Sequence, residues 1–215
     1  MPYLRLEAAA GLVKSGDVLC DVGSDHAYLP LMLIKNGVIE RAVACDVNAG
    51  PLERGRRHAA KHGVSSIEFV LSDGLGSVET PFDVAAICGM GGELIIRIIR
   101  EGGEKGKKRL ILQPMTGIEK VRAFLWQSGF AITDEVFPVE DGKAYCVIGA
   151  EFSGAVPDFS YADTYLGKIR PGGDGFTAWA KKICAAAKSE KHSSKTAMVQ
   201  LTVRQNKKHC VTTLR

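Results

Sequence analysis

No stretch of this 215-residue sequence approaches the roughly 20 consecutive apolar residues that a membrane-spanning helix requires. The first seven residues, ending in Glu7, lack the long apolar run of a secretion signal, so the expected location is the cytoplasm. The six cysteines (Cys20, Cys45, Cys88, Cys146, Cys184 and Cys210) show no C-x-x-C spacing, and the first four fall in or beside strand-like runs. They read as reduced thiols packed as small apolar groups, which argues against a disulfide framework or a zinc site. His58 and His62 stand one helical turn apart without a second pair of ligands, so no metal is expected. Internal repeats are absent, and so is the G-x-G-x-x-G pattern by which a first strand-to-helix turn cradles a pyrophosphate.

What is present is ordinary globular composition, with 46% apolar and 24% charged residues, in a length that suits one α/β domain and an appended segment. The net charge of +4 is unevenly spread. Residues 161–215 carry 11 Lys and Arg against Asp163, Asp174 and Glu190, a net of +8, and the remaining 17 Lys and Arg face 21 carboxylates, a net of −4. An acidic body with a basic tail points to a polyanionic partner, since clustered cations gain affinity by releasing counterions from phosphates. A solvated helical face would give the same charge count.

Short β-rich runs alternate with helical patterns, the signature of βαβ units around a parallel sheet. Strands are expected at 17–22, 42–46, 67–71, 82–88 and 109–112, with helices at about 4–13, 28–36, 51–63, 93–100 and 118–127. After Gly129 two strand-like runs, 130–139 and 144–152, are joined through Asp141-Gly142, a pair suited to the positive φ of a two-residue hairpin turn. Five βα units closed by an antiparallel hairpin is the strand plan of the class I S-adenosylmethionine-dependent methyltransferases, a Rossmann-like α/β fold. Residues 1–153 are expected to form that domain. Residues 158–215 are expected to form a basic, mainly helical segment.

In an open α/β sheet, ligands bind beyond the carboxyl ends of the strands where strand order reverses, so the residues ending each strand carry the chemistry. Asp46 ends the second strand 23 residues after Gly23, close to the offset at which a carboxylate accepts from a ribose diol. Gly23 lets backbone approach a ligand where a Cβ would obstruct it. Asp73 and Gly74 follow the third strand, within reach of an adenine amine. Asp21 and Asp25 put negative charge where a pyrophosphate would be repelled and a cationic sulfonium attracted. Asp21 could equally fix its loop by a hydrogen bond, and Asp25 could cap the following helix. Gly89, Met90 and Gly91 offer open backbone and an apolar face to a flat base, although a tight strand-to-helix turn would also use such glycines. Gln113 and Pro114 lie at the same rim, and the Gln113 amide is a candidate for recognising substrate.

The runs Asp21-Val22-Gly23-Ser24-Asp25-His26-Ala27-Tyr28-Leu29-Pro30, Asn48-Ala49-Gly50-Pro51, Asp73-Gly74-Leu75, Gly89-Met90-Gly91-Gly92 and Ile111-Leu112-Gln113-Pro114 resemble the bacterial tRNA (adenine-22-N1)-methyltransferase family. The likeness covers about residues 4–150, in order. It departs from the family pattern at Asp46, where Glu is commoner, and at Met115, where Asn is expected. It implies S-adenosylmethionine as donor, tRNA as partner and a C-terminal helical domain that helps to hold the tRNA. Asp25 or His26 would then orient the target base through its amino group, with Gly89 and Met90 at the reacting centre and Gly89 also beside the donor. Lys181, Lys182 and Lys188 would face phosphates. The alternatives are a methyltransferase of another RNA or of a small molecule, and an RNA-binding module without turnover.

Overall fold

The computed structural model describes residues 4–169 and 173–189. In chain order the elements are α1 (Leu4–Ala10), β1 (Leu19–Val22), α2 (Tyr28–Lys35), β2 (Ala42–Asp46), α3 (Ala49–Lys61), β3 (Ile67–Leu71), β4 (Val84–Gly91) and α4 (Gly92–Glu101). There follow β5 (Arg109–Thr116), α5 (Ile118–Gln127), β6 (Phe130–Val136), β7 (Val139–Glu140), β8 (Lys143–Ala144), β9 (Val147–Phe152), α6 (Tyr161–Leu166) and α7 (Asp174–Ser189). Seven strands form one sheet in the order β3-β2-β1-β4-β5-β9-β6. The first five are mutually parallel, and β9 runs antiparallel to both its neighbours. This is the mostly parallel, Rossmann-like sheet expected from the sequence, with one antiparallel strand inserted near its edge.

Alternation along the central strands explains why both faces are covered. Cys20 and Val22 of β1, Ala85 and Ile87 of β4, and Leu110 and Leu112 of β5 pack in one cluster with Ile95, Ile98 and Ile99 of α4 and Val121 and Leu125 of α5. Leu19, Val84, Ala86 and Ile111 point the other way, against Ala9 of α1 and Leu29 and Leu33 of α2. Ala44 and Ile67 on that side meet Ala27, Leu31 and Ala59. Each fully buried Leu, Ile or Val contributes about 1.5–3 kcal/mol, so two filled faces hold β1 and β4 rigidly in the middle. Their ends frame the point at which strand order reverses.

The Asp141-Gly142 turn forms as its residues require, with φ of 49° and 71°. The hairpin it closes is divided: β7 and β8 make a separate two-stranded piece, while β9 inserts between β5 and β6. Two further differences concern strand length. The strand expected to stop at residue 88 continues through Gly91, and the one expected to stop at 112 continues to Thr116. They stay paired as far as Gly91 and Thr116, with register irregularities at Met90, so the glycine run is an extended, bulged strand end.

The described part of the C-terminal segment packs on this body. Leu166, Trp179, Ala180 and Ile183 join the cluster that contains the inner face of β5. Arg122 of α5 is fully buried, donating to Glu135 Oε1 at 2.7 Å and to the carbonyls of Thr164 and Tyr165 at 2.9 and 2.8 Å. Glu135 Oε2 accepts from the Ile169 N–H at 3.3 Å. One buried ion pair therefore joins α5, β6 and the chain after α6. Among the described residues no helix is long and apolar enough to cross a membrane.

Candidate functional site

The strand ends meet around Gly23. Its N–H and that of Ser24 donate to the Cys45 carbonyl at 2.8 and 3.0 Å, tying the β1 loop to β2. Gly23 has φ of 74°, a left-handed backbone that favours glycine, and a Cβ there would displace the Met90 Cε, so the loop after β1 lies directly against the end of β4. Beneath this crossing lies Asp21, 7% exposed, whose Oδ2 accepts from Ser24 Oγ at 2.5 Å. Burial raises its carboxyl to about 6, against the lowering effect of the Ser24 hydrogen bond. Asp21 also helps burial to push the neighbouring Cys88 thiol far above its ordinary range. The loop-fixing role open to Asp21 is thus made, yet one hydrogen bond leaves a buried carboxylate with little compensation.

Asp46 closes β2 half-buried, its Oδ1 accepting from the Asn48 N–H at 2.8 Å. Oδ2 has no partner among the described residues. Beside it, Val47 and Leu71 are each 59% exposed, an apolar ledge at the ends of β2 and β3. Asp73 is gripped through both oxygens by Arg97 of α4, at 2.8 and 3.0 Å, and this hydrogen-bonded pairing holds its carboxyl below the ordinary range. Gly74 has φ of 64°, and a Cβ would crowd Ile98 at 3.2 Å.

Across the switch point, Gly89 has φ of 77° and open space where a Cβ would be, and its N–H donates to Gln113 Oε1 at 3.2 Å. Gln113 is 2% exposed, and its Nε2 donates to the Pro114 carbonyl at 3.2 Å. Its amide therefore shapes the rim from below, and Pro114 is buried beside it. Gly91 is half-buried with Thr116 Oγ1 3.4 Å from where its Cβ would stand.

Asp25 is exposed and does not cap α2, whose N-cap is Ala27 without a side-chain bond. Its Oδ1 accepts from Arg54 Nη2 at 2.9 Å, with the His26 ring 3.7 Å away. His26 and Ala27 both take left-handed backbone, φ 63° and 51°, which costs about 1–3 kcal/mol at a non-glycine residue and persists only when neighbours enforce it. His58 enforces it here by donating from Nδ1 to the His26 carbonyl at 2.8 Å. His26, Tyr28, His58 and His62 form a ring cluster with centroids 4.9–6.4 Å apart, and among the described residues no three His, Cys, Asp or Glu side chains form a metal-binding group.

A methyltransferase-domain family model matches residues 3–148. A Streptococcus pneumoniae protein described as a tRNA (m1A22) methyltransferase, crystallised with S-adenosyl-L-methionine, is 33% identical with a TM-score of 0.83, covering 93% of this chain and 97% of its own. The chain belongs to the tRNA (adenine-22-N1)-methyltransferase family. The family's Bacillus subtilis tRNA (adenine(22)-N(1))-methyltransferase is 40% identical over 151 residues, 68% of this chain. That match spans 63% of the B. subtilis protein's length. The crystal structure of the B. subtilis m1A22 tRNA methyltransferase is 28% identical with a TM-score of 0.76, covering 94% of each chain.

The parallel strands bring Asp21, Gly23, Asp25, Asp46, Asp73, Gly74, Gly89, Met90 and Gly91 to one edge of the sheet, at or just beyond the carboxyl ends of β1 to β4. The basic tail is less uniform. Lys181 is exposed on α7, but Lys182 donates to the Ala144 carbonyl at 2.8 Å and lies over the rings of Trp179 and Tyr145 at 5.1 and 5.4 Å. Lys188 is in the final turn of α7. Lys191, Lys195 and Cys210 lie outside the described residues. Reading the sequence missed Arg97 and Arg54, which steady Asp73 and Asp25 from helices 24 and 29 residues further on. No spacing rule relates such partners.

Proposed function

We propose that this protein methylates N1 of adenine 22 in tRNA, using S-adenosylmethionine, with residues 1–153 holding donor and base. The observation that carries the reading is the Gly23–Met90 crossing at the switch point, flanked by the open carboxylate of Asp46 and the apolar ledge of Val47 and Leu71. These residues fit a nucleoside with a cationic sulfur and fit a dinucleotide poorly. The ledge suits an adenine face, Asp46 Oδ2 is free to accept from a ribose hydroxyl, and Asp21 supplies negative charge without a phosphate cradle.

When bound, S-adenosylmethionine supplies an electrophilic methyl group on a positively charged sulfur. Gly23 and Gly74 keep backbone close to it, and Asp46 and Asp73 hold its hydroxyls and amine. Asp21, mostly ionised above pH 6, favours a cation in the crossing. The target base must leave its pairing partner, because N1 lies on the Watson–Crick edge. Its lone pair then needs only alignment, the chief contribution of a site that does no proton chemistry at the attacking atom. Asp25 or His26 orients the amino group, Met90 packs on the ring, and Gly89, positioned by Gln113, leaves room for it. Residues 158–215, through Lys181, Lys182 and Lys188, add hold on the phosphates, and the cytoplasm is where tRNA is met.

Incubation of unmodified tRNA with the protein and methyl-labelled donor tests this. Label recovered as 1-methyladenosine is the expected outcome, and label in another nucleoside, in a small molecule or nowhere would overturn it.

A further inference from the structure

Beside the end of β5, a cleft of about 410 Å³ opens between the β7–β8 hairpin and α7, lined by Met115, Lys143, Ala144, Tyr145, Ala178 and Lys182. Its size falls within the roughly 300–1,000 Å³ of small-molecule sites. Met115 directly follows Gln113-Pro114, so the cleft continues the rim at which the base is expected. The cations on its wall are unequal. Arg5, stacked 4.6 Å over Tyr145, is neutralised by Glu140 at 2.8 Å. Lys143 and Lys182 have no carboxylate at ion-pair distance among the described residues.

Lys182 is anchored at the cleft by neutral partners alone among the described residues. The Ala144 carbonyl and two ring faces fix its ammonium at the cleft, and partial burial together with the like charge of Lys143 lowers its pKa. Glu140, opposite Lys143 on the hairpin, is engaged by Arg5, so two like-charged ammonium groups at the mouth of a cleft, neither in an ion pair among the described residues, are stabilised by an anion between them. Resting on the function proposed above, we infer that this cleft binds the sugar-phosphate of a tRNA nucleotide adjacent to the target adenine, with Lys143 and Lys182 clasping its phosphate. The fixed lysine sets the position of the backbone, and the exposed lysine on the hairpin closes over it.

Direct tRNA binding, measured by fluorescence anisotropy across 50–200 mM salt, tests the assignment independently of methylation. Each phosphate contact contributes about 0.7–0.9 to the log–log salt slope, or about threefold in affinity over that range. Lys143→Gln, a change at an exposed hairpin residue, should flatten the slope by that amount, and Lys143→Gln with Lys182→Gln by about twice as much. S-adenosylhomocysteine affinity, read by calorimetry, should stay at the parent value in both. If Lys182→Gln lowers the melting temperature, Lys143→Gln carries the test alone. A parental slope in Lys143→Gln overturns the cleft assignment. A flattened slope in a protein that yields no 1-methyladenosine supports the cleft while overturning the methylation.

Discussion

On the proposed function, Asp21 is the residue at which stability and donor binding pull apart, and Asp21→Asn measures the tension. Its carboxyl stands at about 6 in the folded protein against an ordinary 3.8, and each pKa unit corresponds to about 1.4 kcal/mol. The folded-state value is raised, so between these limits the native state keeps a proton that the unfolded chain has lost. Stability therefore falls as pH rises from about 4 to about 6, by roughly 3 kcal/mol, and stays lowered above. Asparagine keeps an oxygen for Ser24 Oγ and has no charge to desolvate. Its amide nitrogen adds a cost of its own, but that cost does not vary with pH. The diagnostic is thus the change in the difference between variant and parent. Relative to the parent, the variant should gain about 2.5 kcal/mol between pH 4 and pH 7.5, or about 5–10 °C in Tm for a chain of this length. The same variant should lose more affinity for cationic S-adenosylmethionine than for its neutral product, since only the former meets the missing charge. Urea titrations at the two pH values and paired calorimetry read both effects. Parallel stability curves, or equal losses for the two ligands, would refute the reasoning.

Gly23→Ala should destabilise the protein by about 1–3 kcal/mol, because alanine must adopt a left-handed backbone; Met90→Ala, which removes the side chain a Cβ would displace, should restore only the smaller, steric part, as thermal melts of the single and double variants would register. Asp46→Ala should weaken S-adenosylhomocysteine binding by about 1.5–3 kcal/mol for each ribose hydrogen bond lost, with the fold intact by circular dichroism; unchanged calorimetric affinity would remove Asp46 from the site. Arg122→Ala should cost about 3–5 kcal/mol by leaving Glu135 buried and unpaired. Adding Glu135→Gln should recover much of that loss in denaturant titrations, and a double variant as unstable as the single one would mean that the ion pair is not the source.

Where local pattern and packing agree, the sequence is easily read: β2, β3 and α5 begin and end where their apolar periods do. The positions of Gly23, Asp46 and Asp73 were also legible, because a parallel sheet brings strand ends to one edge whatever the intervening helices do. The extension of β4 through Gly89 and Met90 was not, since glycines signal a turn locally and only pairing with β5 draws them into a strand. The partners of the cations Arg54, Arg97 and Lys182 were not legible, for a related reason. Each looks like a solvated helix charge in sequence, and its partner is fixed by tertiary packing alone. Charge counting placed Lys182 in the basic tail but could not show its contact with Ala144 and Tyr145 of the hairpin.

The central claim is a chemical one, that adenine 22 is attacked through a lone pair at N1, and it is tested most directly on two transcripts that differ at that nucleotide. Nucleoside mass spectrometry should find 1-methyladenosine in the transcript with adenine 22 and no methylated base when guanine replaces it, because guanine N1 carries a proton and offers no lone pair. Equal methylation of both transcripts would contradict the account.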